Sequence, residues 1–253
     1  MSLEIIGYLC ALIVGLSMGM LGAGGAILTI PIMVYLFQVE PVLATVYSLF
    51  IVGCTAFTGS INYLRQKLIN LSSSLLFAVP SVIIMFLMRK LVVPAIPAEF
   101  DIAGLHILKG TFILGFFSVV LLFSSATMIL GGVKKEAQKK ELNNKEKATL
   151  ILSGVGTGII TGMIGAGGGF IIIPALVLLA KMPMKEAVGT SLIIITINSL
   201  TGFAGDLTGN YDINWFLMIS FLVVSIVGIL IGSALVKKVA AAKLKIAFGW
   251  FIL

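Results

Sequence analysis

Two apolar stretches in this 253-residue chain are too long to be single membrane helices, and glycine interrupts both at the same place. Residues 3–37 and 148–180 each exceed thirty residues, where about 20 suffice to cross a hydrocarbon core. The first is broken at Gly22-Ala23-Gly24-Gly25 and the second at Gly165-Ala166-Gly167-Gly168-Gly169. Each glycine costs a helix interior about 1 kcal/mol. A cluster of them therefore ends the helix, and each stretch reads as two half-helices around a non-helical joint.

The two clusters belong to a repeat. A shift of 143 positions brings Gly15 onto Gly158, Gly19 onto Gly162, and Gly22–Gly25 onto Gly165–Gly168. The same shift brings Pro31 onto Pro174, Ala44 onto Ala187, Ser48 onto Ser191 and Thr58-Gly59 onto Thr201-Gly202. Apolar sequences match by chance at Leu and Ile, but not along an ordered run of Gly, Pro, Ser and Thr. The chain divides into a first repeat (1–133), a polar linker (134–147) and a second repeat (148–253).

Composition fixes the environment. Hydrophobic residues make up 59% of the chain and charged ones 11%, against about 25% charge in a soluble globule. Further apolar segments lie at 42–64, 71–93, 105–130, 187–204, 215–236 and 240–253, the last of them short. The fold class is all-α, a polytopic membrane protein. The net charge of +7 reflects basic loops facing the cytoplasm rather than a nucleic-acid partner. Cys10 and Cys54 stand inside apolar runs without partner spacing and read as inert thiols. The Met-Ser-Leu-Glu opening lacks the basic region of a secretory signal, so the first stretch is expected to stay in the fold.

Basic residues choose between two topologies. If each broken stretch crosses once, nine Lys and Arg fall on one side and eight on the other. If each is a hairpin that enters and leaves on one side, the split is fourteen to three, with only Arg89, Lys90 and Lys109 outside. A cytoplasmic bias of that size favours hairpins, with the N-terminus outside and residues 134–147 in the cytoplasm. An odd number of passes then inverts the second repeat relative to the first, an arrangement found in many secondary transporters.

In such folds broken helices meet near the bilayer midplane with their ends toward the substrate. The joints offer free N–H groups and the positive end of a helix dipole, a ready anion cradle. The candidate substrate site is Gly22, Ala23, Gly24, Gly25, Gly165, Ala166, Gly167 and Gly168, with Ser48, Ser191 and Asn198 from the following helices completing a neutral shell. Further hydroxyls and amides (Thr55, Thr58 and Asn62; Thr190, Ser199 and Thr201) serve equally well as interhelical hydrogen-bonding groups. Gly15-x-x-x-Gly19, Gly158-x-x-x-Gly162 and Gly228-x-x-x-Gly232 read as helix-packing motifs, expected to tolerate side chains better than the joints. Asp206, Asp212, Glu99 and Asp101 read as solvated loop residues, and His106 as the start of a helix at the outer interface. No lysine or arginine is expected inside the site.

Residues 19–31, Gly-Met-Leu-Gly-Ala-Gly-Gly-Ala-Ile-Leu-Thr-Ile-Pro, and their copy at 162–174 resemble the paired motif of the sulfite exporter TauE/SafE family. Residues 187–192, Ala-Val-Gly-Thr-Ser-Leu, are similar to that family's segment after its second motif, with a weaker echo at 44–49. The resemblance implies a secondary permease for sulfur-containing anions (sulfite, sulfonates or sulfoacetate) in the bacterial inner membrane. A passive anion channel is the alternative, and an enzyme is not expected. No cofactor or metal is implied. The partners are a small anion and the bilayer; a homodimer and the identity of any coupling ion stay open.

Overall fold

The computed structural model describes residues 2–22, 24–97, 99–102, 105–130, 144–165, 167–207, 209, 211–236, 239 and 250. The linker up to residue 143 and nearly all of the short last apolar segment lie outside them. The first repeat contains α1 (Ser2–Leu21), α2 (Gly24–Tyr35), α3 (Pro41–Arg65), α4 (Leu71–Leu87), a short α5 (Val93–Ala95) and α6 (Lys109–Leu130). The second contains α7 (Asn144–Ile164), α8 (Gly169–Pro174), α9 (Met184–Asp206) and α10 (Trp215–Leu235). π-Helical turns follow α4 at Met88–Val92 and α8 at Ala175–Leu179. Among the described residues seven helical segments are long and apolar enough to cross a bilayer, so the chain is a multi-pass membrane protein.

Both broken stretches fold back on themselves. In the first, the rings of Tyr8 and Phe37 meet edge to face with centroids 5.6 Å apart, and Gly25 packs on Val14 and Met18. Residues near the start of α1 thus lie beside the exit from α2. In the second, Gly168 packs on Thr157 and Thr161 of α7. The turns are built alike. Gly22 N–H donates to Met18 O and its counterpart Gly165 N–H to Thr161 O, both at 2.8 Å. At the exits, Val39 N–H donates to Met33 O and Met182 N–H to Leu176 O, both at 3.0 Å. Gln38 and Lys181, also 143 positions apart, share the left-handed conformation.

The packing carries the same exchange. α1 lies on α10 while its counterpart α7 lies on α4, and α3 runs along α10 while its counterpart α9 runs along α4. α3 and α9 pack on each other at the centre and are the most buried of the spans, with 67% and 72% of an 18-residue apolar stretch enclosed against 22–44% for the others. Polar caps set several starts: Glu40, Asn70 and Asn214 accept from the N–H groups of Leu43, Ser73 and Leu217 at 3.0, 3.0 and 3.1 Å. Such a cap is worth about 1 kcal/mol.

One loop departs from the expected all-helical course. Glu99–Ile102 (β1) and Leu105–Leu108 (β2) pair antiparallel, with Asp101 opposite His106. His106 therefore lies in a strand rather than at a helix start. The 105–130 apolar run is divided between this strand and α6, which begins at Lys109 and Gly110.

The packing glycines differ from expectation as well. A Cβ on Gly15 would overlap the Ser225 carbonyl, one on Gly228 or Gly232 would overlap the carbonyls of Leu12 and Leu16, and one on Gly19 would stand 2.6 Å from Ile229 O. Backbone lies directly against backbone, so these positions are as closed to side chains as the joints. We expect Gly228→Val to cost about 3 kcal/mol or more through overpacking, read as a lower melting temperature in detergent. Gly156→Val, at a position with open space around it, should melt like the wild type.

Candidate functional site

The tip of the second hairpin needs glycine for its backbone. Gly165, Gly167 and Gly168 have φ of +76°, +65° and +75°, and Gly22 at the first tip has +79°, values that strain any residue with a Cβ. The tips are also tightly enclosed. A Cβ on Gly22 would stand 2.9 Å from Ser191 Oγ and 3.2 Å from Val188. A Cβ on Gly167 would overlap Ser199 Oγ and stand 3.0 Å from Val52.

At Gly165 the neighbour is a charge. A Cβ there would overlap Nη2 of Arg89 and stand 2.5 Å from the Thr45 Cβ. Arg89 lies in the π-helical turn that ends α4, a feature often found at functional sites, and it is 1% exposed. Its Nη1 forms an ion pair with Asp206 Oδ2 at 3.2 Å and donates to Thr45 Oγ1 at 3.0 Å. Asp206, the last residue of α9, is 4% exposed. Among the described residues these two are the only buried charged side chains. The expectations of an uncharged site and of Asp206 as a solvated loop residue are thus both corrected. Arg89 and Asp206 stand near the ends of spans, and the hairpin tip closes over them.

The guanidinium is only half used. Among the described residues Nε and Nη2 have no hydrogen-bond partner, and they share one edge of the guanidinium plane, the edge that grips two oxygens of an oxyanion side-on. Leaving a buried donor unpaired costs about 1–3 kcal/mol. Two of them on one cation leave one edge of the buried guanidinium unpaired against the Gly165 backbone. Neighbouring hydroxyls share this state: Ser48 Oγ and Ser199 Oγ are buried without partners. Ser48 lies on α3 between Thr45, which touches Gly165, and Val52, which touches Gly167. Helical spacing of three and four residues puts all three on one face, so the Ser48 hydroxyl faces the tip.

The remaining expected residues divide. Ser191 meets the first tip, but its hydroxyl donates to Val188 O at 2.8 Å. Asn198 donates through Nδ2 to Ser81 Oγ at 2.7 Å, which leaves its carbonyl Oδ1 as the unpartnered atom. Through this bond Asn198 ties α9 to α4. Gly25 packs against α1, and Gly24 begins α2. Ala23 and Ala166 lie outside the described residues. α8 is only six residues long before its π-helical turn, too short for a substantial dipole, and the guanidinium supplies the positive charge beside it.

Arg89 and Asp206 break the repeat. At the 143-position shift their counterparts are Gly232 and Tyr63. At the first tip the equivalent places are occupied without charge: Gly232 packs on Leu16 and Gly19, and the Tyr63 hydroxyl donates to Gly19 O at 2.8 Å. Several other charges, among them Arg65, Lys67 and Lys90, are also unmatched at that shift, so the repeat alone did not single out this pair.

Comparison with known proteins finds membrane transporters. The family model described as sulfite exporter TauE/SafE matches residues 7–253. A "Probable membrane transporter protein" of Xylella fastidiosa is 27% identical over 239 residues, covering 91% of this chain and 84% of that protein. One from Methanocaldococcus jannaschii is 30% identical over 205 residues, covering 79% and 71%. One from Bacillus subtilis is 25% identical over 244 residues, covering 90% and 86%. No solved structure matches the chain.

Removing one member of a buried pair leaves the other charge uncompensated, at a cost of about 3–5 kcal/mol, whereas an apolar replacement of both is close to neutral. Asp206→Leu alone should therefore melt well below the wild type in detergent. The double variant Arg89→Met/Asp206→Leu should recover most of that loss.

Proposed function

Because the chain belongs to the sulfite exporter TauE/SafE family, we propose that it is a secondary transporter carrying small sulfur-containing oxyanions across the bacterial inner membrane by alternating access. Its relatives bear the names of membrane transporters, which supports transport rather than catalysis. The observation that carries the anion reading is the unpartnered Nε–Nη2 edge of Arg89 beside the glycine tip. Two oxygens of a sulfite or sulfonate group fit that edge in a bidentate pair, with geometry that a lysine point charge does not supply. Ser48 and Ser199 hydroxyls would donate to a remaining oxygen. Backbone at Gly165 and Gly167 approaches closely enough to line the site because no Cβ intervenes.

The duplication supports alternating access. Hairpins of matching construction pack in exchanged helix contacts around α3 and α9, and rocking of the two hairpins about that centre would open the site to one side and then the other. Each half makes an odd number of full passes when its hairpin returns to its starting side, so the halves would be inverted. The basic residues favour an external N-terminus with the 134–147 linker in the cytoplasm. Arg89 is enclosed, so an anion reaches it only when the packing around the tip opens to one side.

Uptake of radiolabelled sulfoacetate and sulfate into proteoliposomes tests this reading. Saturable uptake, accelerated by unlabelled anion on the opposite side and lost in Arg89→Met/Asp206→Leu, is the expected result. Flux that rises linearly with concentration and shows no counterflow would identify a passive channel instead.

A further inference from the structure

We propose that Asp206 takes up a proton as an anion binds at Arg89, making the protein a proton–anion symporter. This rests on the anion reading of the Arg89 site. In the empty site the guanidinium and carboxylate neutralise one another across 3.2 Å, both enclosed. A monovalent anion on the free Nε–Nη2 edge brings the buried charge to minus one and sets a second negative group against the same guanidinium. Like charges that share one enclosed site cannot both remain ionised at low cost. A proton added to the Asp206 carboxylate, giving the neutral acid, returns the loaded site to zero net charge. It also releases Nη1 to follow the anion. One anion and one proton then move together through a site that is electrically neutral both empty and full.

The surrounding groups leave this task to Asp206. Thr45, which faces the pair from α3, has no charge to give and donates its hydroxyl proton to Val42 O at 2.7 Å. Glu40, Lys109 and Tyr211 lie within electrostatic reach of the pair or of each other. Glu40 is exposed and caps α3, and Lys109 donates to Val93 O at 2.5 Å. Burial first, then the adjacent Asp206 carboxylate, push the Tyr211 phenol above its ordinary value, so it stays an O–H. Lys90 turns to the Phe86 ring, 5.7 Å from its centroid.

Calorimetry of the purified protein in nanodiscs decides the matter, with methanesulfonate and sulfate as probes in buffers of different ionisation enthalpy near neutral pH. Neither probe takes up a proton itself there, unlike sulfite. The expected result for the wild type is uptake of about one proton per methanesulfonate, with affinity falling about tenfold per pH unit as the medium becomes alkaline. Asp206→Asn imitates the protonated acid. It should bind with no proton uptake and with an affinity that is flat with pH. The wild-type proton count is decisive even if that variant misfolds. Binding without proton uptake overturns the symport while leaving the anion site in place. Failure of both probes to bind at any pH overturns the anion reading, and the symport with it.

Discussion

A guanidinium and a carboxylate enclosed together in an apolar protein tie its two halves to one another. Arg89 comes from the end of α4 and Asp206 from the end of α9, and Nη1 of Arg89 also reaches Thr45 on α3. The glycine tip of the second hairpin closes against the remaining edge of the same side chain. Desolvating such a pair costs several kcal/mol per ion before any attraction is recovered. Packed hydrophobic residues would hold the same helices at less cost. The pair is therefore weak as a stability device, and two of its donors are unpaired among the described residues.

Close backbone contact makes that arrangement feasible. Gly15 and Gly19 on α1 meet Gly228 and Gly232 on α10, and Gly154 and Gly158 on α7 meet carbonyls of α4. These contacts fix each hairpin's long arm against a full-length span. The shorter arms and their tips are then pressed toward the central α3 and α9. Matching turns at Gly22 and Gly165, and matching exits at Gln38 and Lys181, show one construction used twice. Among the described residues buried charge occurs at only one of the two tips. The other substitutes Gly232 and Tyr63, so one structural unit has kept a tightly packed polar contact where its copy has an ion pair.

The hairpins were legible in the sequence because their cause is local. Glycine clusters break helices wherever they fall, and the basic residues distinguish a hairpin from a crossing. The repeat was legible because glycine, proline and hydroxyl residues hold their spacing. The charged centre was not. Arg89 precedes Lys90 at the end of an apolar run, and Asp206 precedes a polar loop. That is where hydropathy places solvated residues. Their burial depends on a π-helical turn and on α4 and α9 packing side by side, both products of tertiary structure. The partner of Asn198 was equally illegible: its amide donates to Ser81 on the neighbouring helix, a contact set by tertiary packing.

The central claim is that an oxyanion binds at the free edge of Arg89 beneath the second glycine tip. Structure determination with selenate in place of sulfate tests it most directly, because anomalous scattering locates selenium independently of the protein. A selenium peak within hydrogen-bonding reach of Arg89 Nε and Nη2, between Gly165 and the hydroxyl of Ser48, is the expected result. A peak at the uncharged tip around Gly22 and Ser191, or one confined to the protein surface with Arg89 unoccupied, would contradict it.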